Sequence, residues 1–209
     1  MIMKGLVRSR DSIKNHKTMK FFKLDVEKST DKEMDCNHPI YLLKLENQKL
    51  ERLVDSKIRV YLDAFDRKAT LENANLLFEA CFLLFEIDKH YRRIEKLLTP
   101  FLQEYVNDTH SHVNLTWRHY DFIRDNLSYV MQKLIQYNGE KQTVIVLLKT
   151  ILYEIGQIIE KEENILFPLA LNHLKKSEWR KIKKESSRIG YCFSVSETTD
   201  WKSNQKVSS

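Results

Sequence analysis

Four polar side chains stand where a helical rhythm demands leucine or isoleucine. His90 falls in the row Leu76, Ala80, Leu83, Ile87, His90, Ile94, Leu97, which steps by fours and threes. His119 holds the same kind of place among Leu115, Ile123, Leu127, Val130, Leu134 and Tyr137. Glu162 follows Val144, Leu148, Ile151, Ile155 and Ile158 and precedes Ile165 and Leu169; Glu46 lies between Leu43 and Leu50. Burying one unpaired carboxylate costs several kcal/mol. A seam imidazole alone is more often a hydrogen-bonded core residue, and a seam carboxylate alone more often pairs with Lys or Arg. Two imidazoles and two carboxylates in one core call for a common partner, and a divalent metal ion supplies it.

The elements that must position these residues are helices. The chain has only 4 Gly and 3 Pro, too few breakers for a strand-and-turn architecture. Residues 1–36 read as a basic, mostly disordered leader. Helix A opens at Asn37-His38-Pro39, with Pro at the first helical position and His38 as cap, and runs to about Phe65. Thr70 caps helix B, and Pro100 ends or bends it. Residues 106–114 read as a polar loop with Asn114 capping helix C, which Asn138-Gly139 stops. Helix D follows, bent or ended by Pro168. A short amphipathic helix at 175–191 is opened by Ser177, includes Trp179 and Ile182, and is closed by Gly190; 192–209 reads as a polar tail. The predicted fold is all-α: an up-down-up-down four-helix bundle over 37–174, with a short C-terminal helix and disordered tails.

In that topology the start of A, the end of B, the start of C and the end of D share one end. Glu46 is 8 residues in from His38, His90 is 10 before Pro100, His119 is 4 in from Leu115, and Glu162 is 6 before Pro168. At about 1.5 Å per residue these depths agree to within roughly 10 Å, so each helix points one ligand at one layer. His38 lies about 12 Å above Glu46, and its reading as a ligand competes with its reading as a cap.

Composition narrows the classes. Apolar residues make up 42% and charged residues 31%, ordinary for a globular protein. No run of 18 apolar residues occurs, which argues against a membrane span, and the N-terminus lacks a signal-peptide core. Residues 1–33 carry nine Lys/Arg against five Asp/Glu, and 174–209 carry nine against four; the middle, 34–173, is net −3. The excess of positive charge sits at the ends, which argues against a nucleic-acid-reading domain. Cys36, Cys81 and Cys192 have no zinc or disulfide spacing and read as free thiols in a reducing cytoplasm.

Lys161-Glu162-Glu163-Asn164-Ile165-Leu166-Phe167-Pro168 resembles the Lys-Glu-Glu-x-x-Leu-Phe-Pro signature of the hemerythrin-like HHE cation-binding family. His90 to Pro100 resembles the same motif in helix B, with Glu95 matching Glu163 and His90 matching Ile158: an internal helix-hairpin repeat. His38-Pro39, Glu46-Asn47, Trp117 to Arg124, and Glu178-Trp179 through Tyr191 resemble the branch often fused to a C-terminal PAS sensor domain. The ordered set of five, covering about residues 37–191, carries the resemblance.

The resemblance implies a non-haem iron site drawing on His90, His119, Glu162, Glu46 and Glu95, with His38 and Glu163 contingent. The chain departs from the family pattern in three places. His90 has Ile94 at i+4 and Glu95 at i+5, the helix D histidine position is Ile158, and the Glu-His pair of helix A reads Glu46-Asn47. The implied site is richer in carboxylate and holds one or two irons. Tyr91 and Tyr120 flank the ligands as candidate hydrogen-bond donors. The implied function is sensing or binding dioxygen or nitric oxide, or handling iron, with binding expected rather than catalysis and a signalling protein as a candidate partner. Two alternatives stand beside it: a di-iron catalyst of the peroxidase or iron–sulfur repair type, and a metal-free helical signalling adaptor.

Overall fold

The computed structural model describes residues 36–105 and 110–193, the side chains of 110–118 excepted. The leader up to residue 35 and the tail from 194 lie outside the described residues. Four rods form the bundle. The first comprises α1 (Pro39–Leu53), a π-helical turn (Val54–Ile58) and α2 (Arg59–Arg67). The second comprises α3 (Leu71–Leu84), α4 (Ile87–Arg93), a π turn (Ile94–Leu98) and α5 (Thr99–Tyr105). The third is α6 (His110–Ile135). The fourth comprises α7 (Lys141–Lys161), a π turn (Glu162–Leu166) and α8 (Phe167–His173), and α9 (Lys176–Ile189) follows.

The caps expected from sequence are present. His38 Nδ1 accepts the Ile40 N–H at 3.2 Å ahead of Pro39. Thr70 Oγ1 accepts the Asn73 N–H at 3.2 Å. Gly139 and Gly190 adopt φ of 103° and 91° where α6 and α9 give out, a conformation side-chain-bearing residues resist. The third rod begins earlier than expected, since the chain is helical from His110 and not from Asn114. Helix α9 opens at Lys176, where the Glu178 carboxylate accepts the Lys175 N–H at 2.6 Å.

Each rod lies beside the next. Helix α2 contacts α3, α1 contacts α4, α3 and α4 contact α6, α6 contacts α7, and α7 returns to α2. That ring is the predicted up-down-up-down bundle. Helix α9 lies against α1, α4 and the 94–98 turn, at the end where the candidate ligands gather. By length and composition Lys141–His173 is apolar enough to cross a membrane, but 44% of its most apolar window is buried in the bundle. Its row Val144, Leu148, Ile151, Ile155 and Ile158 is core.

The π turns change which residues face inward. Each adds a residue to a turn, with Thr99 N–H reaching Ile94 O and Phe167 N–H reaching Glu162 O. The widened turns relieve the clash that Pro100 and Pro168 would make four residues back, so these prolines leave their rods unbroken. After Glu162 the next buried residues are Phe167 and Ala170, while Ile165, expected in the seam, is 40% exposed. A non-helical step at Phe85-Glu86 likewise resets the second rod: Leu77, Leu84 and Leu98 are buried, and Leu83 is exposed.

Candidate metal centre

His90 sits at the middle of a buried polar cluster. It comes from α4, one turn before the π turn, and is 1% exposed. Its Nδ1 lies 2.9 Å from Glu46 Oε2 and its Nε2 lies 3.1 Å from Glu162 Oε2. One imidazole thus joins carboxylates from the first and fourth rods. The Arg93 guanidinium, one turn after His90, donates to Glu46 Oε2, and the Cys192 N–H donates to Glu46 Oε1 at 3.0 Å.

Glu162, the first residue of the third π turn, is held from two more directions. Tyr120 of α6 donates its hydroxyl to Oε1 at 2.8 Å, and Asn47 Nδ2 donates to Oε2 at 3.1 Å. Asn47 also donates to Glu163 Oε1 at 3.2 Å. Tyr91 stacks on Tyr120 with ring centroids 4.1 Å apart. Two buried atoms of this cluster lack a hydrogen-bond partner among the described residues, Asn47 Oδ1 and the Tyr91 hydroxyl.

The charges balance in pairs. Burial pushes the Glu46 carboxyl up, but the hydrogen bond from His90 and the charges of His90 and Arg93 outweigh it, so Glu46 titrates below its usual range. Burial pulls His90 down, and the Glu162 charge and hydrogen bonds with Cys192, Glu162 and Glu46 raise it well above the ordinary histidine value. Burial, and then the Glu162 charge, push both tyrosines far up, so both stay protonated and Tyr120 keeps the proton it donates to Glu162.

The family model for the hemerythrin HHE cation-binding domain matches residues 38–170. The chain belongs to the hemerythrin family. A comparison with curated proteins gives no match. As in that family, this is a metal-binding helical domain, and its donor set can be tested against a cation. The carboxylates of Glu46 and Glu162 and the His90 imidazole are hard-to-borderline donors suited to a divalent transition ion. The orphaned Asn47 Oδ1 is an acceptor whose missing partner a cation can be. The residues fit a metal.

Not every expected residue of the hemerythrin-like domain reaches this cluster. Glu46, His90 and Glu162 are brought together. His119 is not: the seam of α6 runs Tyr120, Ile123, Leu127, and one residue's rotation of about 100° turns His119 to the flank. There its Nδ1 lies 2.5 Å from Glu154 Oε2, with side chains 28% and 21% exposed. Glu154 is two turns from Glu162, about 12 Å along the helix. Glu95 faces Arg124, which holds it through two hydrogen bonds of 2.7 and 3.1 Å and also binds Asp88. His38 is occupied as the α1 cap and lies against Trp179, ring centroids 4.6 Å apart. Glu163 stands at the half-buried edge, where burial raises its carboxyl.

Arg93 and Cys192 join the cluster without having been expected there. Arg93 had a signal, being one helical turn from His90. Cys192 had only a weaker one, an apolar Tyr-Cys-Phe triplet directly after a helix-stopping glycine. Replacing Tyr120 by phenylalanine is expected to destabilise the metal-free domain by about 1–3 kcal/mol, because Glu162 stays buried and loses a donor. Urea denaturation checks this, and an unchanged midpoint would place the hydroxyl outside the network.

Proposed function

We propose that this hemerythrin-like protein binds non-haem iron at Glu46, His90 and Glu162 and uses it to sense or bind dioxygen or nitric oxide. The observation that carries the reading is the pair of buried carboxylates joined through one imidazole, beside the orphaned Asn47 acceptor. Bound iron supplies a redox-active position for a small diatomic ligand. The chain's own residues do the rest. Tyr120 and Asn47 orient Glu162, Arg93 orients Glu46, and the stacked tyrosines with Ile94 and Ile158 exclude water.

The carboxylate-rich, nitrogen-poor set favours a single ion over two, since Ile94 and Ile158 put hydrocarbon at two of the three places where this chain departs from the family pattern. The sensing role draws on the resemblance to the PAS-fused branch, with α9 as the element through which a signalling partner is reached. The free thiols of Cys36, Cys81 and Cys192 support a cytoplasmic setting.

Metal analysis tests the reading. Wild-type protein purified without chelators is expected to carry about one iron per chain, with a near-ultraviolet absorption that responds to oxygen, and Glu162→Ala is expected to lose both. One observation favours a second reading: His90 contacts both Glu46 and Glu162, and Arg93 contacts Glu46, so both carboxylates have partners without any metal. Identical melting curves with and without chelator, and no iron, would establish that metal-free adaptor.

A further inference from the structure

The segment after residue 170 lies beyond the match to the hemerythrin family, yet it returns to the centre. Helix α9 lies against α1 and α4, and Gly190 turns the chain back toward the first rod. Tyr191 places its ring 4.7 Å from the Arg93 guanidinium carbon. Lys49 Nζ reaches Phe193 O at 3.4 Å. Between them Cys192 is 2% exposed, and its backbone N–H is tied to Glu46 Oε1.

That tie brings the thiol to the ligands. Donor atoms of Glu46, His90 and Cys192 all lie within 4.8 Å of one another, and all three side chains are buried. A buried cysteine is more often plain packing, and Cys81 is such a case, fully buried in the apolar core with its thiol pushed up to about 12 by burial alone. Cys192 differs because its sulfur faces an imidazole and a carboxylate instead of hydrocarbon. A tetrahedral ion with metal–ligand bonds of about 2.0–2.3 Å sets its donors about 3–4 Å apart. The cluster reaches that spacing by closing about 1 Å, within the reach of side-chain rotation. Carboxylate, imidazole and thiolate together suit a borderline divalent ion such as ferrous iron, cobalt or zinc.

We propose that Cys192 is a metal ligand, its thiolate joining Glu46 and His90 on a divalent transition ion, so that metal loading locks residues 176–193 onto the bundle. The thiol proton passes to solvent as the metal–sulfur bond forms. The inference rests on the metal reading above and adds to it a sulfur donor from outside the family domain. It also provides a physical link from metal occupancy to the C-terminal helix, because the ligand and α9 are one continuous chain.

Cobalt tests it on the full chain. Stripped wild-type protein titrated with cobalt(II) is expected to develop a sulfur-to-cobalt charge-transfer band in the near ultraviolet, with slowed amide exchange over 176–193. Cys192→Ser is expected to bind cobalt at least about 10-fold more weakly, to lack the band, and to show no metal-dependent protection of α9. Cys36→Ser is expected to keep the band. Cobalt bound by wild type without the band overturns sulfur ligation and leaves the Glu46–His90–Glu162 reading standing. A band that survives Cys192→Ser assigns the sulfur elsewhere and also overturns it. A wild type that binds neither cobalt, zinc nor ferrous iron overturns both readings together.

Discussion

Replacing His90 by alanine is expected to cost about 3–5 kcal/mol of stability in the metal-free protein and to abolish metal binding. Among the described residues the imidazole is the one group that touches both buried carboxylates. Its removal leaves Glu162 buried with only the Tyr120 and Asn47 donors, and leaves Glu46 with Arg93 and one backbone N–H. Those remaining partners place the loss nearer the lower end of the range. His119→Ala is the matched control. Its pair with Glu154 is partly exposed, so it is expected to cost about 0–1 kcal/mol and to leave metal content unchanged. Denaturant titration and metal analysis of the two variants read this directly. Equal costs, or metal lost from the His119 variant instead, would move the centre to the flank of α6.

Added divalent metal is expected to stabilise the protein little at pH 5 and most near pH 8. In the metal-free domain the raised His90 contributes stability that is complete below the ordinary histidine value of about 6.5; it is lost as pH climbs through the higher folded value. Glu46 works in the opposite sense. Its lowered folded value contributes stability present above the ordinary carboxyl value, about 4.3, and lost as pH falls through the folded one. The metal-free domain is therefore most stable between these limits and weakens on the alkaline side. A metal ion requires unprotonated ligands, so its affinity grows over the same alkaline range. With free metal about 100-fold above its dissociation constant, the gain is about 2.7 kcal/mol, or a melting temperature raised by about 5–10 °C. Thermal melts across pH with metal and with chelator measure the difference. A gap that is constant or shrinks with rising pH contradicts ligation through His90.

Much of this fold and its centre is legible in the order of the residues. The three-and-four spacing of Leu, Ile and Val specifies helices, and short connections specify antiparallel neighbours. Thr70, His38-Pro39, Gly139 and Gly190 mark helix ends because capping and left-handed backbone are local chemistry. His90, Glu46 and Glu162 are recoverable as one buried polar cluster because a polar residue in an apolar seam is costly wherever the neighbouring rods lie. Pro100 and Pro168 mark places where the helices have to change, but not how.

The tertiary structure decided what depended on rotation and on distance along the chain. Inserting one residue at a π turn swings everything beyond it by about 100°, so Phe167 and not Ile165 is core. A similar margin separates Tyr120, which binds Glu162, from His119, which turns away to Glu154. Whether Glu95 faced the centre depended on Arg124, a residue of another rod. Cys192 could enter only through α9, since nothing local ties a residue after Gly190 to Glu46. The sequence by itself determined a helical bundle with carboxylate and imidazole buried at one end. Only the packing of rod on rod determined which atoms meet, because a helix's local pattern leaves its rotation open by about one residue and the contacts that settle it come from elsewhere in the chain.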